Sequence, residues 1–181
     1  MPTYLSILRG INVGAQKKIL MADLKKLYDG LGFDSVTTYI QSGNVLFKTK
    51  KTPPAALVKK IEAAIKTKYG FDVPVIIRET EEMENVCQSN PFLKRKDVQM
   101  ERLHVTFLAA VPEAALTKDL EKFTAPKDEF VIAGKEVYLY TPGGYGETKL
   151  SNTFFEKKLK VTATTRNWKS VCTLAEMAAK L

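Results

Sequence analysis

The feature that most constrains the fold of this chain is a hairpin pattern that occurs twice. In Thr37–Lys48, β-branched and aromatic residues flank a Ser-Gly-Asn sequence, which predicts two strands and a tight turn with a positive φ angle at Gly43 or Asn44. In Glu129–Tyr140, two similar runs flank Gly134. A hairpin at a corresponding place in each half indicates a repeated structural plan.

Strand and helix patterns surround each hairpin in the same order, because a strand and a helix precede it and a helix and a strand follow it. The first half is predicted to contain strand 4–8, helix 21–31, the hairpin, helix 57–69, strand 71–78 and helix 80–87. The second half is predicted to contain strand 103–108, helix 112–123, the hairpin, a helix capped by Ser151, strand 161–164 and a helix capped by Asn167.

This order predicts an α+β protein of two tandem ferredoxin-like (βαββαβ) units, each an antiparallel sheet covered by helices. The predicted boundaries are 1–88 for the first unit, 89–100 for a connector and 101–181 for the second unit. Whether the two sheets remain separate or join at an edge is left open, and exposed edges would also permit an oligomer-forming role.

The composition favours an anionic partner and a cytoplasmic location. Lys and Arg number 28 against 20 Asp and Glu, a formal charge of +8, although a solubilising surface would give the same excess. The sequence lacks both a secretion signal and an apolar run of about 18 residues, so no membrane association is expected. Cys87 and Cys172 form no CxxC motif, and we expect reduced thiols, no metal and no cofactor.

Four separated motifs carry a family resemblance. They are LRGINVG at 8–14, YIQSGNV at 39–45, NPF at 90–92 and TTRNW at 164–168. With these motifs in this order, the chain resembles the bacterial family DUF1697, a domain of unknown function. The resemblance implies a small cytosolic protein of duplicated ferredoxin-like design, without an established activity.

Two strand-to-helix junctions are the leading candidates for a binding site. Arg9, Gly10, Asn12 and Gly14 follow the first strand, where backbone N–H groups and a guanidinium can converge on an anion. Arg166-Asn167 occupies the junction before the last helix. These residues predict a binder of a small phosphate- or carboxylate-bearing ligand. The alternative is that they have only structural roles, with the first segment forming a tight loop whose arginine makes an ion pair and Asn167 capping the last helix.

Two other features have a structural interpretation that we prefer. The glycine-rich segment Gly143–Lys149 would form a lid over a phosphate-bearing ligand with Lys149 as a point charge, but it lacks the phosphate-loop spacing and is interpreted as a surface connection. His104, the only histidine, lies in an apolar strand and is interpreted as a hydrogen-bonded core or sheet residue. No catalytic residue is assigned.

Two alternative functions are also compatible with the sequence. A nucleic-acid-binding module would use basic residues, namely Lys48, Lys50, Lys51, Lys94, Arg95 and Lys96. RNA-recognition motifs share the βαββαβ order, but Val45-Leu46-Phe47 lacks the paired aromatics that stack bases in their third strand. The other alternative is an enzyme with a site between the two units.

Overall fold

The computed structural model describes residues 1–181 and divides the chain into two compact units. Unit 1 comprises Met1–Glu84 with Leu174–Leu181, and unit 2 comprises Asn85–Thr173. The predicted connector, 89–100, therefore lies within unit 2, and the C-terminal residues belong to unit 1.

Unit 1 begins with the order βαββαβα. Its elements are β1 (Thr3–Leu8), α1 (Met21–Gly30), β2 (Asp34–Tyr39), β3 (Asn44–Lys48), α2 (Pro54–Tyr69), β4 (Val75–Glu79) and α3 (Thr80–Gln88), which continues into unit 2. Prolines start α2, and Gly70 ends it with a left-handed φ of 79°.

Unit 2 repeats this order after two short 3₁₀ turns at Pro91–Lys94 and Met100–Arg102. Its elements are β5 (Leu103–Leu108), α4 (Ala114–Glu121), β6 (Glu129–Ala133), β7 (Glu136–Tyr140), a 3₁₀ turn at Tyr145–Glu147, α5 (Asn152–Leu159), β8 (Ala163–Asn167) and α6 (Trp168–Lys180). The last residues of α6 belong to unit 1.

Each unit contains its own four-stranded antiparallel sheet. The strand orders are β2-β3-β1-β4 and β6-β7-β5-β8, so corresponding strands occupy corresponding places. The predicted fold class, two tandem ferredoxin-like units with antiparallel sheets, is confirmed.

Alternate residues of each sheet form a core with the helices of the same unit. In unit 1, Tyr4 and Phe47 are paired across β1 and β3, lie fully buried and stack at a centroid distance of 5.8 Å. In unit 2, Leu108 and Val137 join Phe155 of α5 in the corresponding cluster. Because Tyr4 and Phe47 belong to the core, their rings do not lie on an open surface.

The first hairpin has the positive φ that was predicted for Gly43 or Asn44, and it falls on Gly43. Its turn is Ile40–Gly43, with φ of 49° at Ile40 and 90° at Gly43. Asn44 has no positive φ; it is already part of β3, and its Nδ2 donates to the carbonyl of Tyr39 at 2.9 Å. This side-chain hydrogen bond closes the turn at the first residue of β3.

The last strand lies further along the chain than the predicted 161–164. β8 covers Ala163–Asn167 because these residues pair with β5, from Ala163 opposite Leu108 to Asn167 opposite His104. Thr165 and Arg166 are polar, and their place in a strand follows from this pairing rather than from an apolar pattern.

Candidate functional site

The two units place different residues at one equivalent position of the sheet. Tyr4 of β1 lies opposite Phe47 and Glu79, and His104 of β5 lies opposite Leu139 and Asn167. Both residues stand at the start of a central strand. Unit 1 is therefore an internal reference for what a purely structural residue does at this place.

In unit 1 the side chain at this position, Tyr4, has its polar group fully hydrogen-bonded within the protein. The Tyr4 hydroxyl donates to the carbonyl of Thr52 at 3.1 Å and accepts from the Thr52 N–H at 3.2 Å. Only residues 49–53 connect β3 with α2 here. The tyrosine therefore joins this short connection to the sheet.

In unit 2 the equivalent side chain, His104, has a ring nitrogen that lacks a hydrogen bond. The Nδ1 atom of His104 is buried and has no hydrogen-bond partner. The imidazole stacks on the ring of Tyr145 with centroids 4.9 Å apart and an interplanar angle of 25°. Tyr145 belongs to a longer connection, 141–151, between β7 and α5.

Arg102 lies against the same connection. Its Nε atom is also buried without a partner. Gly144 has φ of 97°, and a Cβ atom there would lie 2.9 Å from Nη1 of Arg102. The carbonyl of Arg102 accepts a hydrogen bond from the N–H of Thr141 at 3.0 Å, so Arg102 also holds the start of the connection.

A chain of hydrogen bonds joins the central strand to the start of α5. The hydroxyls of Thr106 and Thr165 lie 2.7 Å apart, and Thr165 Oγ1 donates to Oδ1 of Asn152 at 2.6 Å. In the register of unit 1, the counterpart of Thr165 is the apolar Ile77. Unit 2 thus has a polar helix-facing surface where unit 1 has a partly apolar one.

We call the group formed by these side chains the polar cluster. Its members are Arg102, His104, Thr106, Tyr145, Asn152 and Thr165. It lies at the end of the sheet where α5 and α6 begin, and the partial positive charge of a helix N-terminus favours an anion.

The protonation of His104 reflects this setting. Burial lowers the pKa of His104, and the charge of Arg102 acts in the same direction, while the backbone of Arg102 opposes both. The imidazole is therefore biased towards its neutral form. A bound anion would counter the charge of Arg102 and would favour protonation of the histidine.

The structure separates the two residues predicted at the last strand-to-helix junction. Asn167 lies opposite His104 at the border of the polar cluster, and its Oδ1 accepts from the N–H of Ser170 at 2.8 Å, which confirms the predicted helix cap. Arg166 alternates to the other face of the sheet, where it is 8% exposed and its Nη1 donates to Thr164 Oγ1 at 3.1 Å. Burial lowers its pKa to about 10.

The Arg9–Gly14 loop lies in unit 1, so the structure does not place it in the polar cluster. Asn12 uses its whole carboxamide within the protein: Nδ2 donates to the carbonyls of Ile19 and Gln41 at 2.9 and 2.7 Å, and Oδ1 accepts from the N–H of Ile19 at 2.8 Å. Gly10 and Gly14 have φ of 75° and 60°. The loop is thus fixed against the first hairpin.

The basic residues considered for nucleic acid include one with clear partners. Arg95 donates to both Asp97 and Glu129, including a 2.7 Å contact with the former and a 2.8 Å contact with the latter. These carboxylates raise the pKa of Arg95. Its charge is therefore already balanced by neighbouring groups.

Sequence reasoning missed most of the polar cluster. Arg102 and Asn152 belong to no motif, and Thr165 lies in the TTRNW motif without having been singled out there. The proximity of all three to His104 depends on strand register and on the long connection. One signal for the site was present in the sequence. When the two halves are aligned by their strands, the polar Thr165 occupies the position that the apolar Ile77 has in the first half.

Two general features complete the description. No group of three or more His, Cys, Asp or Glu side chains is arranged to hold a metal ion. None of the helices has both the length and the hydropathy that are needed to cross a bilayer.

The fold and this cluster define an α+β protein of duplicated ferredoxin-like design. Residues 1–138 match the model of the family described as "Protein of unknown function (DUF1697)", and the chain belongs to that family. A conserved bacterial protein from Streptococcus pneumoniae has a similar structure, with a TM-score of 0.74, 23% identity and coverage of 98% of each chain. No curated protein matches the chain.

Proposed function

We propose that unit 2 binds a small anionic ligand, bearing a phosphate or a carboxylate, at the polar cluster. One observation carries this proposal: Arg102 Nε and His104 Nδ1 are both buried without a partner, beside the consecutive residues Gly144 and Tyr145. Buried polar atoms in native proteins nearly always have a partner, and two exceptions in one cluster suggest that a ligand supplies it.

A negatively charged hydrogen-bond acceptor would stabilise the buried guanidinium of Arg102 most. An unsatisfied buried donor costs roughly 1–3 kcal/mol, and a guanidinium recovers most when it pairs with a carboxylate or phosphate. The N-terminus of α5 adds partial positive charge from the same side. A neutral acceptor would gain less than an anion from both groups, and a cation would gain from neither.

The connection 141–151 supports the binding mode. Gly143, Gly144 and Gly146 give the segment the freedom to adjust over a ligand, and Lys149 adds a cation before α5. In unit 1 the equivalent connection is short and is held by Tyr4. We propose that the longer connection of unit 2 is the lid of the site.

The residues predicted from the sequence enter this proposal unequally. Asn167 borders the polar cluster, and Arg166 supports the same strand from its opposite face. The Arg9–Gly14 loop is a separate candidate for the same ligand class, with Arg9 and the backbone of Gly10 and Gly14 as contacts, because Asn12 is used by the loop itself.

We also propose a cytoplasmic location. Neither Cys87 nor Cys172 forms a disulfide. Cysteines outside disulfides are the common state in a reducing compartment.

The test uses inorganic phosphate as the probe in an NMR titration of the labelled protein. We expect shifts at His104, Gly144 and Tyr145, and an affinity weakened about tenfold or more in Arg102→Gln, because a charge-assisted hydrogen bond is lost. Arg95→Gln is the matched control, since that arginine is paired with Asp97 and Glu129.

Equal affinity in wild type and Arg102→Gln would overturn the proposal. Shifts centred on Arg9 and Gly10 that vanish in Arg9→Ala would instead move the site to the loop of unit 1.

A further inference from the structure

The second sheet has an exposed edge at β6. The strand order places β6 at the end of the sheet, and its central residue, Val131, is 40% exposed. An edge strand presents unpaired N–H and C=O groups to any strand that can align with it.

The corresponding edge of the first sheet is interrupted. β2 has a register shift between Asp34 and Thr37, and Ser35 within it has φ of 52°. Such a bulge bends the strand and hinders addition of a further strand. β6 pairs with β7 in continuous register from Glu129 to Ala133, so it lacks this protection.

The register determines which groups of β6 face outwards. Ala133 and Glu136 are joined by the two-residue turn Gly134-Lys135, so they form a hydrogen-bonded pair. Hydrogen-bonded and non-hydrogen-bonded pairs alternate along an antiparallel ladder. The N–H and C=O groups of Phe130 and Ile132 therefore point away from β7.

This edge is complementary to itself. If a second copy of β6 runs antiparallel about a two-fold axis at Val131, Phe130 of one copy lies opposite Ile132 of the other, and these residues have the outward groups. The two Val131 side chains then meet as a non-hydrogen-bonded pair, in which side chains are closest. Glu129 lies opposite Ala133, so no like charges face each other within the strand itself.

The acidic groups at the start of the strand are already paired. Both carboxylate oxygens of Glu129 accept from Arg95, at 2.8 and 2.9 Å, and Asp128 accepts from Thr148 Oγ1 at 2.5 Å. β6 itself contains no lysine, arginine or proline, which are the usual protections of an edge. The electrostatic opposition to a second copy comes from Lys127 and Lys135, which flank the strand and lie opposite each other in this register.

A cavity lies alongside the strand. It has a volume of about 430 Å³, and Phe123, Phe130 and Ile132 contribute apolar walls. Side chains that reach the helix-facing side of a paired strand would enter this space, which adds packing to the backbone hydrogen bonds.

We infer that β6 is a self-association surface, through which two copies of this chain pair into a dimer with one continuous eight-stranded sheet. The occupant is a second copy because the apolar and hydrogen-bonding positions match under two-fold symmetry. This inference is independent of ligand binding by the polar cluster.

The experiment is sedimentation equilibrium of the full chain from about 1 μM to about 1 mM. We expect a concentration-dependent dimer, which Val131→Lys converts to a monomer because two lysines would oppose each other at the axis. Thr37→Lys, on the interrupted edge β2, is the matched control and should leave the dimer unchanged.

Hydrogen exchange gives a readout that needs no variant. The amides of Phe130 and Ile132 should become protected as the wild-type concentration rises, while that of Val131 should not change. A wild-type monomer over the whole range, or a dimer that Val131→Lys leaves intact with unprotected Phe130 and Ile132, would overturn the inference.

Discussion

At the scale of single residues, the contrast between Tyr4 and His104 shows how one position of a fold can change its role. Both stand at the start of a central strand and are paired with residues at corresponding positions of the neighbouring strands. The hydroxyl of Tyr4 forms hydrogen bonds with the backbone of Thr52, whereas Nδ1 of His104 is buried without a partner. The difference follows from the length of the connection that lies above each residue.

The pH dependence of stability tests the setting of His104. Its pKa lies below the usual 6.5, so the unfolded chain takes up the proton first as the pH falls, and the folded state loses stability below about 6.5. Urea unfolding at several pH values should show a smaller acid-side loss in His104→Gln. Both proteins contain the same carboxylates, so the carboxylate contributions cancel in the comparison. The chain has no other histidine, so the remaining difference belongs to His104, and equal slopes would contradict the prediction.

Asn12 is predicted to be a structural residue. Asn12→Ala removes three hydrogen bonds, two of them with Ile19, and leaves their backbone partners unsatisfied. We expect a loss of about 2–3 kcal/mol in the free energy of unfolding. The measurement is chemical denaturation, with Gln16→Ala, an exposed side chain of the same loop, as the control that should stay within about 0.5 kcal/mol of wild type.

At the scale of elements, the first hairpin depends on a close approach that only glycine permits. A Cβ at Gly43 would lie 2.7 Å from Ile11 Cδ1 and 2.9 Å from Leu8 Cβ, and its φ is 90°. We therefore expect Gly43→Ala to destabilise the protein by about 1–3 kcal/mol.

Gly30→Ala is the control for this prediction. Gly30 ends α1 without a positive φ, and nothing lies within 4 Å of its Cβ position. Alanine there should be neutral or should raise the free energy of unfolding by up to about 1 kcal/mol. Similar thermal midpoints for the two variants would refute the packing argument.

The connection above the polar cluster allows a similar comparison. Gly144→Ala would force Nη1 of Arg102 to move, because the added Cβ lies 2.9 Å from it. Gly146→Ala meets nothing within 4 Å. Phosphate titrations should give a weaker affinity for Gly144→Ala than for Gly146→Ala, and equal affinities would show that Arg102 is not held by the connection.

The elements themselves were largely predictable, and their ends were less so. Apolar spacing, the prolines before α2 and Gly70 after it give that helix both limits. β8 was displaced because Thr165 and Arg166 carry no strand pattern and depend on pairing with β5. Local signals thus predict elements that have their own propensity, and tertiary pairing defines the rest.

At the scale of the whole molecule, the order of elements was sufficient to predict the duplicated fold. The candidate site was not predictable in the same way, because Tyr145 and Asn152 are distant in sequence from Arg102, and the site is marked by the unpartnered atoms Arg102 Nε and His104 Nδ1. A missing hydrogen bond leaves no trace in a sequence. Coordinates are required to recognise it.

The C-terminal residues provide a test of the division into units. Leu174 and Ala178 of α6 are buried and belong to unit 1, so deletion of residues 174–181 should destabilise unit 1 by several kcal/mol, roughly 3–5, through lost apolar burial. Hydrogen exchange should then increase in β1–β4 more than in β5–β7. Deletion of residues 180–181 alone is the control, and equal increases in both sheets would contradict the division.

This path of the chain has a consequence for biosynthesis. Unit 1 requires the first and the last segments of the chain, whereas unit 2 is formed from one continuous stretch. During translation, the sheet of unit 1 emerges first but lacks residues 174–181 until they leave the ribosomal tunnel. Part of the surface of the nascent unit 1 therefore stays uncovered until the whole of unit 2 has been synthesised.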